Sequence, residues 1–233
     1  MPCTLPASLA DAAVCRGSFH AVLGGEAGEA VFADFSAALQ KAQAEGRILT
    51  ASLFRYENHL FFYAEGLNRP FTPQGLCPAL DAALLPWPPA LGEAAPRPWA
   101  AMQPYFYHDV PTTAADWQQG RCPQRRRGRI ALLPPDKWCS YMEHHLRIVT
   151  EGLVEGDRWH LICVQEGVLF SYLEEPRTNV NIKHQPGAHS PELDAWIAAD
   201  PESHFARFTP EQKAHPDSSH NFVFLPRIAG TED

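Results

Sequence analysis

Two heptapeptides, His59–Glu65 (HLFFYAE) and Val168–Glu174 (VLFSYLE), decide the fold that this sequence predicts. They lie 109 positions apart, and their aromatic and aliphatic residues are typical of β-strands. Each follows another strand-like run, Ile48–Tyr56 in the first half and Trp159–Val164 in the second. Similarity at one fixed spacing indicates an internal repeat.

The repeat extends toward the N-terminal side of each heptapeptide, where a short apolar run is followed by a helical pattern. In the first half, apolar residues recur at helical spacing over Glu29–Ala44, and Gly46 is predicted to end the helix. In the second half, the predicted helix covers Pro135–Glu155 and ends at Gly156. The two glycines stand 110 positions apart, which agrees with the spacing of the heptapeptides.

Each half closes with a second helical segment and a fourth strand. These are Cys77–Leu85 and Tyr105–Val110 in the first half, and Pro191–Ala199 and Phe222–Leu225 in the second. Strand, helix, strand, strand, helix, strand is a split βαβ arrangement, with an antiparallel sheet covered by helices on one face. We therefore expect an α+β fold in which tandem ferredoxin-like repeats form a pseudo-dimeric α+β barrel within one chain.

The repeat also predicts where the chain divides. We expect a ferredoxin-like repeat without a polar site over residues 17–111, a linker over 112–127 and a second repeat, with the candidate site, over 128–227. The linker ends in Arg125–Arg127, which could contact a phosphate. In a chain of formal net charge −8, a solvated strap between domains is the favoured interpretation.

Composition limits the function classes. The acidic excess argues against a nucleic-acid or anionic-membrane binder, because both need a positive surface. The six cysteines have no C-x-x-C pairing, which indicates free thiols in a reducing compartment. The N-terminal residues lack the pattern of a secretory signal, and no apolar run is long enough to span a membrane, so we expect a cytoplasmic protein.

Cofactor and metal motifs are absent from the sequence. There is no glycine-rich nucleotide fingerprint, P-loop, G-x-S-x-G or H-E-x-x-H. The pairs His184/His189 and His215/His220 lie in loop-like stretches without the spacing of metal ligands on a helix. We therefore expect neither a cofactor nor a metal.

The helix of the second half carries the candidate catalytic residues. Tyr141 and His145 are four residues apart and share one helix face, and Trp138 falls on the same stripe. The corresponding residues of the first half are Val31 and Phe35. An amphipathic helix needs no tyrosine–histidine pair to pack, so the difference predicts one cavity kept polar and its counterpart filled. The alternative is that both are ordinary core residues.

A phenol and an imidazole together suit acid–base chemistry on a hydroxylated substrate, because imidazole titrates near neutrality. On the following strands, His160 shares a face with Ile162 and Val164, and Tyr172 shares one with Phe170. We expect His160 to face the substrate and Tyr172 to add a hydroxyl group. Aromatic core packing is the alternative for both.

The order and spacing of these residues over Gly128–Pro226 resemble the L-rhamnose mutarotase family. The resembling motifs are Pro135, Tyr141-x-x-x-His145, Leu169-Phe170-x-Tyr172-x-Glu174, Ala198-Ala199-Asp200-Pro201 and Val223-Phe224-Leu225-Pro226. The resemblance implies a ferredoxin-like α+β barrel, normally dimeric, that interconverts the α and β anomers of a free sugar without a cofactor. It implies that His145 is the proton donor and that Tyr141 contacts sugar hydroxyls.

The chain departs from the family in the walls of the site. His160 stands near the position of a sugar-contacting tyrosine, and Phe205 and Ala206 replace a tryptophan pair. We therefore expect an L-rhamnose-like or related aldose, rather than L-rhamnose itself, as substrate. The expected substrate-binding residues are His160, Tyr172, Phe205 and Trp138.

Two other functions stay open at this point: a non-catalytic protein that binds a sugar or metabolite, and a cofactor-independent α+β barrel monooxygenase acting on phenolic substrates. The expected partner is a small-molecule sugar, with no nucleic acid and no membrane. Whether the pseudo-dimeric chain associates further is left open.

Overall fold

The structure is a computed structural model that describes residues 6–177, 183–184, 189–213 and 215–231. The chain separates into two compact units. The first contains the described residues up to Met102, Pro111–Pro123 and those from Pro226 onward. The second contains Gln103–Val110 and the described residues of Gln124–Leu225. The side chain of His184 lies outside the described part.

The first unit is built on a five-stranded antiparallel sheet, and elements are numbered in chain order. Its strands are β1 (Val14–Val22), β2 (Ile48–Tyr56), β3 (His59–Leu67), β4 (Ala100–Ala101) and β12 (Arg227–Gly230), in the spatial order β12-β2-β3-β1-β4. Its helices are α1 (Glu29–Ala44), α2 (Pro78–Ala83) and α3 (Ala114–Gln118). Phe35 and Leu39 of α1 are fully buried in one apolar cluster with Phe62 of β3.

The second unit repeats this plan. Its strands are β5 (Gln103–Phe106), β6 (Arg125–Leu132), β8 (Leu161–Gln165), β9 (Val168–Glu175) and β11 (Val223–Leu225), in the order β11-β6-β9-β8-β5. Its helices are α4 (Pro135–Glu151) and α5 (Pro191–Ala198). A separate two-stranded ladder joins β7 (Val154–Glu155) to β10 (Lys183–His184).

Both sheets have the same internal order. The fourth strand lies beside the first, and the third lies between the first and the second: β4-β1-β3-β2 in one unit and β11-β6-β9-β8 in the other. This is the order of a split βαβ unit, and all pairings are antiparallel. The prediction of an α+β fold with two antiparallel sheets is confirmed.

Each sheet also gains an edge strand from the other half of the sequence. The segment Tyr105–Val110, predicted as the last strand of the first half, instead contributes to β5, which pairs with β8 of the second unit. Reciprocally, β12 follows the second half but pairs with β2 of the first unit. A sheet edge offers unpaired backbone groups, which an added strand satisfies. The exchange brings Tyr105 and Phe106 into the second unit.

The end of α4 also differs from the prediction. The helix stops at Glu151, and Gly152 takes the left-handed conformation at its C-cap with φ 69°. Glycine adopts this conformation without the steric cost that a Cβ atom imposes, which is why it commonly ends helices. Gly156, predicted as the stop, lies beyond β7 and has another role in the site.

The arginine run is not a solvated strap. Arg125–Arg127 opens β6, where it pairs with the last residues of β9. Arg125 and Arg127 form ion pairs with Glu175 at 2.6 Å and 2.9 Å. The predicted linker therefore ends before Arg125, because β6 begins at that residue. Carboxylates on the neighbouring strand neutralise the arginine charges.

The core of the second unit differs from that of the first. Tyr141, His145 and Ile148 are the buried residues of α4, and Tyr141 joins an apolar cluster with Ile162 of β8 and Leu169 of β9.

In the described part of the chain, no helix has the length and apolar character needed to cross a membrane.

Candidate active site

A cavity of about 400 Å³ opens within the second unit, between the helix-covered face of its sheet and the helices α4 and α5. Strands β5, β6 and β8 contribute to its floor, and the segments that follow α5 complete its wall. Its aromatic lining residues are Phe106, Tyr141, Trp196, Phe205 and Phe222. A volume of this size suits a small organic ligand.

The two predicted catalytic residues lie side by side in this cavity. Tyr141 and His145 are separated by one helical turn of α4, and their ring centroids are 4.1 Å apart. Their exposed fractions are 3% and 6%. The two helices end at left-handed glycines 106 positions apart, so Tyr141 and His145 correspond to Phe35 and Leu39, and not to Val31 and Phe35 as the sequence predicted. Both Phe35 and Leu39 are fully buried in an apolar cluster. The predicted difference between the two halves is therefore present in the structure.

The tautomer of His145 is fixed by the helix itself. Nδ1 of His145 lies 2.9 Å from the backbone carbonyl oxygen of Tyr141, which can only accept a hydrogen bond. Nδ1 therefore carries the proton, and Nε2 keeps its lone pair. Within the described ranges, no side chain or backbone group donates a hydrogen bond to Nε2.

Aromatic rings surround the imidazole of His145. Phe106 and Trp196 lie edge-on at centroid distances of 4.8 Å each, and Tyr105 lies at 5.8 Å. Burial among these rings lowers the pKa of His145 to about 4. The imidazole is therefore neutral at physiological pH and can accept a proton but not donate one from a charged state.

Two buried phenols flank this imidazole, and both stay protonated. Burial raises the pKa of Tyr141 to about 12 and that of Tyr105 well above its usual range. Their ring centroids are 5.9 Å apart, in an edge-to-face arrangement. Tyr141 can therefore serve as a hydrogen-bond donor to a ligand but not as a base.

Arg129 of β6 adds a positive charge to the cavity wall. Its guanidinium lies over the ring of Phe222, with Cζ 4.4 Å from the ring centroid. Burial lowers the pKa of Arg129 to about 10, so the group remains charged at neutral pH. Its Nε atom is buried, and across the described segments neither a hydrogen-bond acceptor nor an acidic side chain pairs with this guanidinium.

Further polar residues line the cavity beside these groups. Asp157, which is almost fully buried, pairs with Arg177 through an Nε–Oδ2 contact of 3.3 Å. His108 packs against Gly156 so closely that a Cβ atom on the glycine would lie 1.9 Å from the ring. His160 is buried beside them, just before β8.

The structure separates the four predicted binding residues. His160 and Phe205 line the cavity. Trp138 does not: it is 39% exposed and lies at a different hollow, between the N-terminal end of α4 and the turn that joins β8 to β9. Tyr172 is also outside the site, because it lies on the opposite face of β9 from Leu169, which contacts the α4 side.

Tyr172 instead belongs to a structural pair that occurs in both units. Its hydroxyl donates a 2.6 Å hydrogen bond to Glu174, and the hydroxyl of Tyr63 does the same to Glu65. Both glutamates are fully buried. The tyrosine of each heptapeptide thus satisfies a buried carboxylate rather than a ligand.

Sequence reasoning missed three residues that line the cavity, Arg129, Phe106 and Trp196. It also missed Tyr105, whose ring contacts those of Tyr141 and His145. Arg129 alternates with Ala131 and Leu133 along β6, and a charged residue on the apolar face of a strand could have singled it out. No local signal could have placed Tyr105 and Phe106 here, because their strand pairs with a distant one.

Among the described residues, no three histidine, cysteine or acidic side chains converge as a metal site would require.

Comparisons with known proteins add little sequence information. No family model and no curated protein matches the chain. It is similar to a candidate monooxygenase from Lactobacillus acidophilus NCFM, with 7% identity and a TM-score of 0.39 over 94% of this chain and 96% of the other. A candidate monooxygenase from Fusobacterium nucleatum gives 8% identity and a TM-score of 0.40 over 94% of each chain. An anthrone oxidase-like protein gives 7% identity and a TM-score of 0.37 over 92% of each chain.

The expectation of an L-rhamnose mutarotase is wrong. These three solved structures carry the names of monooxygenases and an anthrone oxidase-like protein, and not that of a sugar isomerase. The geometry gives a physical reason, since the resemblance required His145 to donate a proton. With a pKa of about 4, the ring has no such proton to give at neutral pH. The isomerase activity and the rhamnose-like substrate predicted from the sequence are therefore wrong as well.

Proposed function

We propose that the second unit binds a hydroxylated aromatic compound, removes a proton from it at Nε2 of His145, and so activates it for cofactor-independent oxygenation by dioxygen. One observation carries the proposal: a neutral imidazole of fixed tautomer faces an aromatic-walled cavity. The aromatic side chains of the lining suit a flat, electron-rich ring, and the polar groups beside them can pair with the hydroxyl groups of such a ligand.

The low pKa of His145 keeps the base free until a substrate arrives. When a proton moves from the substrate to Nε2, an imidazolium and an aromatic anion form side by side in a buried site. The two opposite charges stabilise each other there more strongly than they would in water. Tyr141 can donate a hydrogen bond to the oxygen on which the negative charge develops.

The anion is the species that reacts with dioxygen. An electron-rich aromatic anion can pass one electron to dioxygen, and the resulting radical pair can combine at carbon. For a ring methylene the balance is R₂CH₂ + O₂ → R₂C=O + H₂O. The carbon loses four electrons, one oxygen atom becomes the carbonyl and the other leaves as water. Dioxygen is the only oxidant that this step requires.

The test uses 1,8-dihydroxyanthrone, which has an acidic ring methylene, as the probe. Oxygen uptake and formation of the quinone are measured for the full-length protein, with ¹⁸O₂ to identify the source of the new carbonyl oxygen. His145→Ala should reduce turnover by about 10²–10⁴-fold, as expected for loss of a general base. The matched control is Leu146→Ala, since Leu146 is the next residue of α4 and is 60% exposed.

A non-catalytic binding protein predicts a different result. In that case the probe would raise the melting temperature of the protein, while oxygen uptake would equal that of buffer alone. Equal rates for the wild type and His145→Ala would likewise remove the catalytic proposal.

We also propose that the two units are tandem copies that form a pseudo-dimer, which is supported by their shared strand order and their matching buried tyrosine–glutamate pairs. We propose a small molecule as the partner.

A further inference from the structure

The cavity contains a cation that the proposed proton transfer does not use. Arg129 is on the strand β6, and its Nε atom is buried at the cavity wall. Two other arginines in the same unit have carboxylate partners: Arg127 pairs with Glu175 and Asp217, and Arg177 pairs with Asp157. In the described part of the second unit, Arg129 has no such partner.

Burying a charge without a partner destabilises the folded protein, and a bound counter-ion can offset that loss of free energy. The chain as a whole is acidic, with a formal net charge of −8, so its overall field does not attract an anion to this place. The attraction must therefore be local. An anion that enters the cavity can supply the partner that Arg129 lacks.

The surroundings of Arg129 define the shape of that anion. Cζ of the guanidinium lies over Phe222, at 4.4 Å from the ring centroid, and the ring centroids of Phe222 and Phe205 are 4.9 Å apart. Arg129 lines the cavity, and among the described residues no acceptor takes a hydrogen bond from its guanidinium, so its N–H groups are available to a ligand. A planar fork of N–H donors matches the two oxygens of a carboxylate. Phe205 also lines the cavity and offers an aromatic surface beside that fork.

We infer that the ligand of this cavity is an aromatic carboxylate, whose ionised carboxyl group pairs with Arg129 while its ring stacks among the aromatic side chains. The inference rests on the proposed function for the position of the ring near His145. It adds a fixed negative charge to the substrate, distinct from the anion formed by proton removal.

Binding is tested with 1-hydroxy-2-naphthoate, its methyl ester and 1-naphthol, by calorimetry and by the fluorescence of the protein's tryptophans. The wild type should bind the acid about 10- to 100-fold more tightly than the ester, which corresponds to hydrogen bonds with a charged group. Arg129→Gln should remove that preference and leave the affinity for 1-naphthol within about threefold.

Arg127→Gln is the matched control, because Arg127 lies on the same strand two residues away but is already paired. It should retain the preference for the acid. The melting temperature of ligand-free Arg129→Gln should equal or exceed that of the wild type, since the variant removes an unpaired buried charge. Should that variant not fold, Arg129→Lys keeps the charge but loses the fork, and it should weaken the preference.

The outcomes separate this inference from the proposed function. A preference for the acid that persists in Arg129→Gln overturns the inference. Equal binding of acid and ester by the wild type also overturns it, and turnover of 1,8-dihydroxyanthrone would then still support the proposed oxygenation. An Arg129-dependent preference for the acid without any oxygen uptake supports the carboxylate site and removes the oxygenation.

Discussion

Nδ1 of His145 donates a hydrogen bond to the backbone carbonyl oxygen of Tyr141 at 2.9 Å, and the centroids of the two rings are 4.1 Å apart, with their planes tilted by 32°. One helical turn therefore fixes both the tautomer and the orientation of the imidazole. No third side chain is needed for this, in contrast to sites where a carboxylate orients the base. The arrangement leaves Nε2 as the basic atom of the cavity.

The stability of the protein should depend on pH through His145. Its pKa is about 4 in the folded protein, below the value of about 6.5 expected when the chain is unfolded. Between these values the unfolded chain binds more protons, so stability falls as the pH is lowered from about 6.5 to 4 and is constant above this window. The loss attributable to this residue is about 3 kcal/mol. Urea unfolding at a series of pH values measures this loss. An NMR titration that gives the ring of His145 a pKa near 6.5 in the folded protein would contradict the prediction.

Replacing His145 by the residue of the first unit should separate stability from activity. Leu39 occupies the equivalent position there and is fully buried. In His145→Leu, the free energy of unfolding at pH 7 should stay within about 1 kcal/mol of the wild-type value, and its decrease between pH 6.5 and 4 should shrink. Oxygen uptake with 1,8-dihydroxyanthrone should fall by about 10²-fold or more. A variant that keeps full activity contradicts the role of the imidazole.

Gly156 should tolerate no side chain, because of His108. A Cβ atom at this position would lie 1.9–2.2 Å from three atoms of the His108 ring. Gly156→Ala should displace that ring from the cavity wall, lowering the melting temperature by several degrees and weakening ligand binding. Gly25→Ala is the control, since nothing lies within 4 Å of its added carbon. Equal melting temperatures for the two variants would show that the ring moves aside without cost.

The buried ion pair of the first unit should be sensitive to the loss of one partner. Arg121 donates two hydrogen bonds to Glu65, at 2.7 Å and 3.0 Å, and both side chains are buried. Glu65→Gln leaves a buried guanidinium without its counter-charge, which should cost about 3–5 kcal/mol in the free energy of unfolding. The surface pair of Glu45 and Arg47 gives the control, and Glu45→Gln should cost under about 1 kcal/mol. Chemical denaturation compares the two, and a similar small loss in both would show that Arg121 finds another partner.

The sequence predicted the parts of the site that lie on one element. A spacing of four residues placed Tyr141 and His145 on one face of α4, and comparison with Phe35 indicated that this face borders a cavity. Alternation likewise grouped His160 with Ile162. Local periodicity is enough for such statements because it depends only on the geometry of a single helix or strand. It could not tell which face of β9 meets the helices, and Tyr172 was placed on the wrong one.

The sequence by itself determined the α+β architecture and the pairing of a phenol with an imidazole, because both follow from patterns that repeat along the chain or along one helix. Only the tertiary structure decided what that pair can do. Strand β5 crosses from the first half to enclose His145 with Phe106, and Arg129 is left unpaired across the cavity. Burial by residues far apart in the sequence lowers the pKa of the imidazole and keeps the ring unprotonated at neutral pH. That burial is non-local, so no spacing within the sequence could have revealed it.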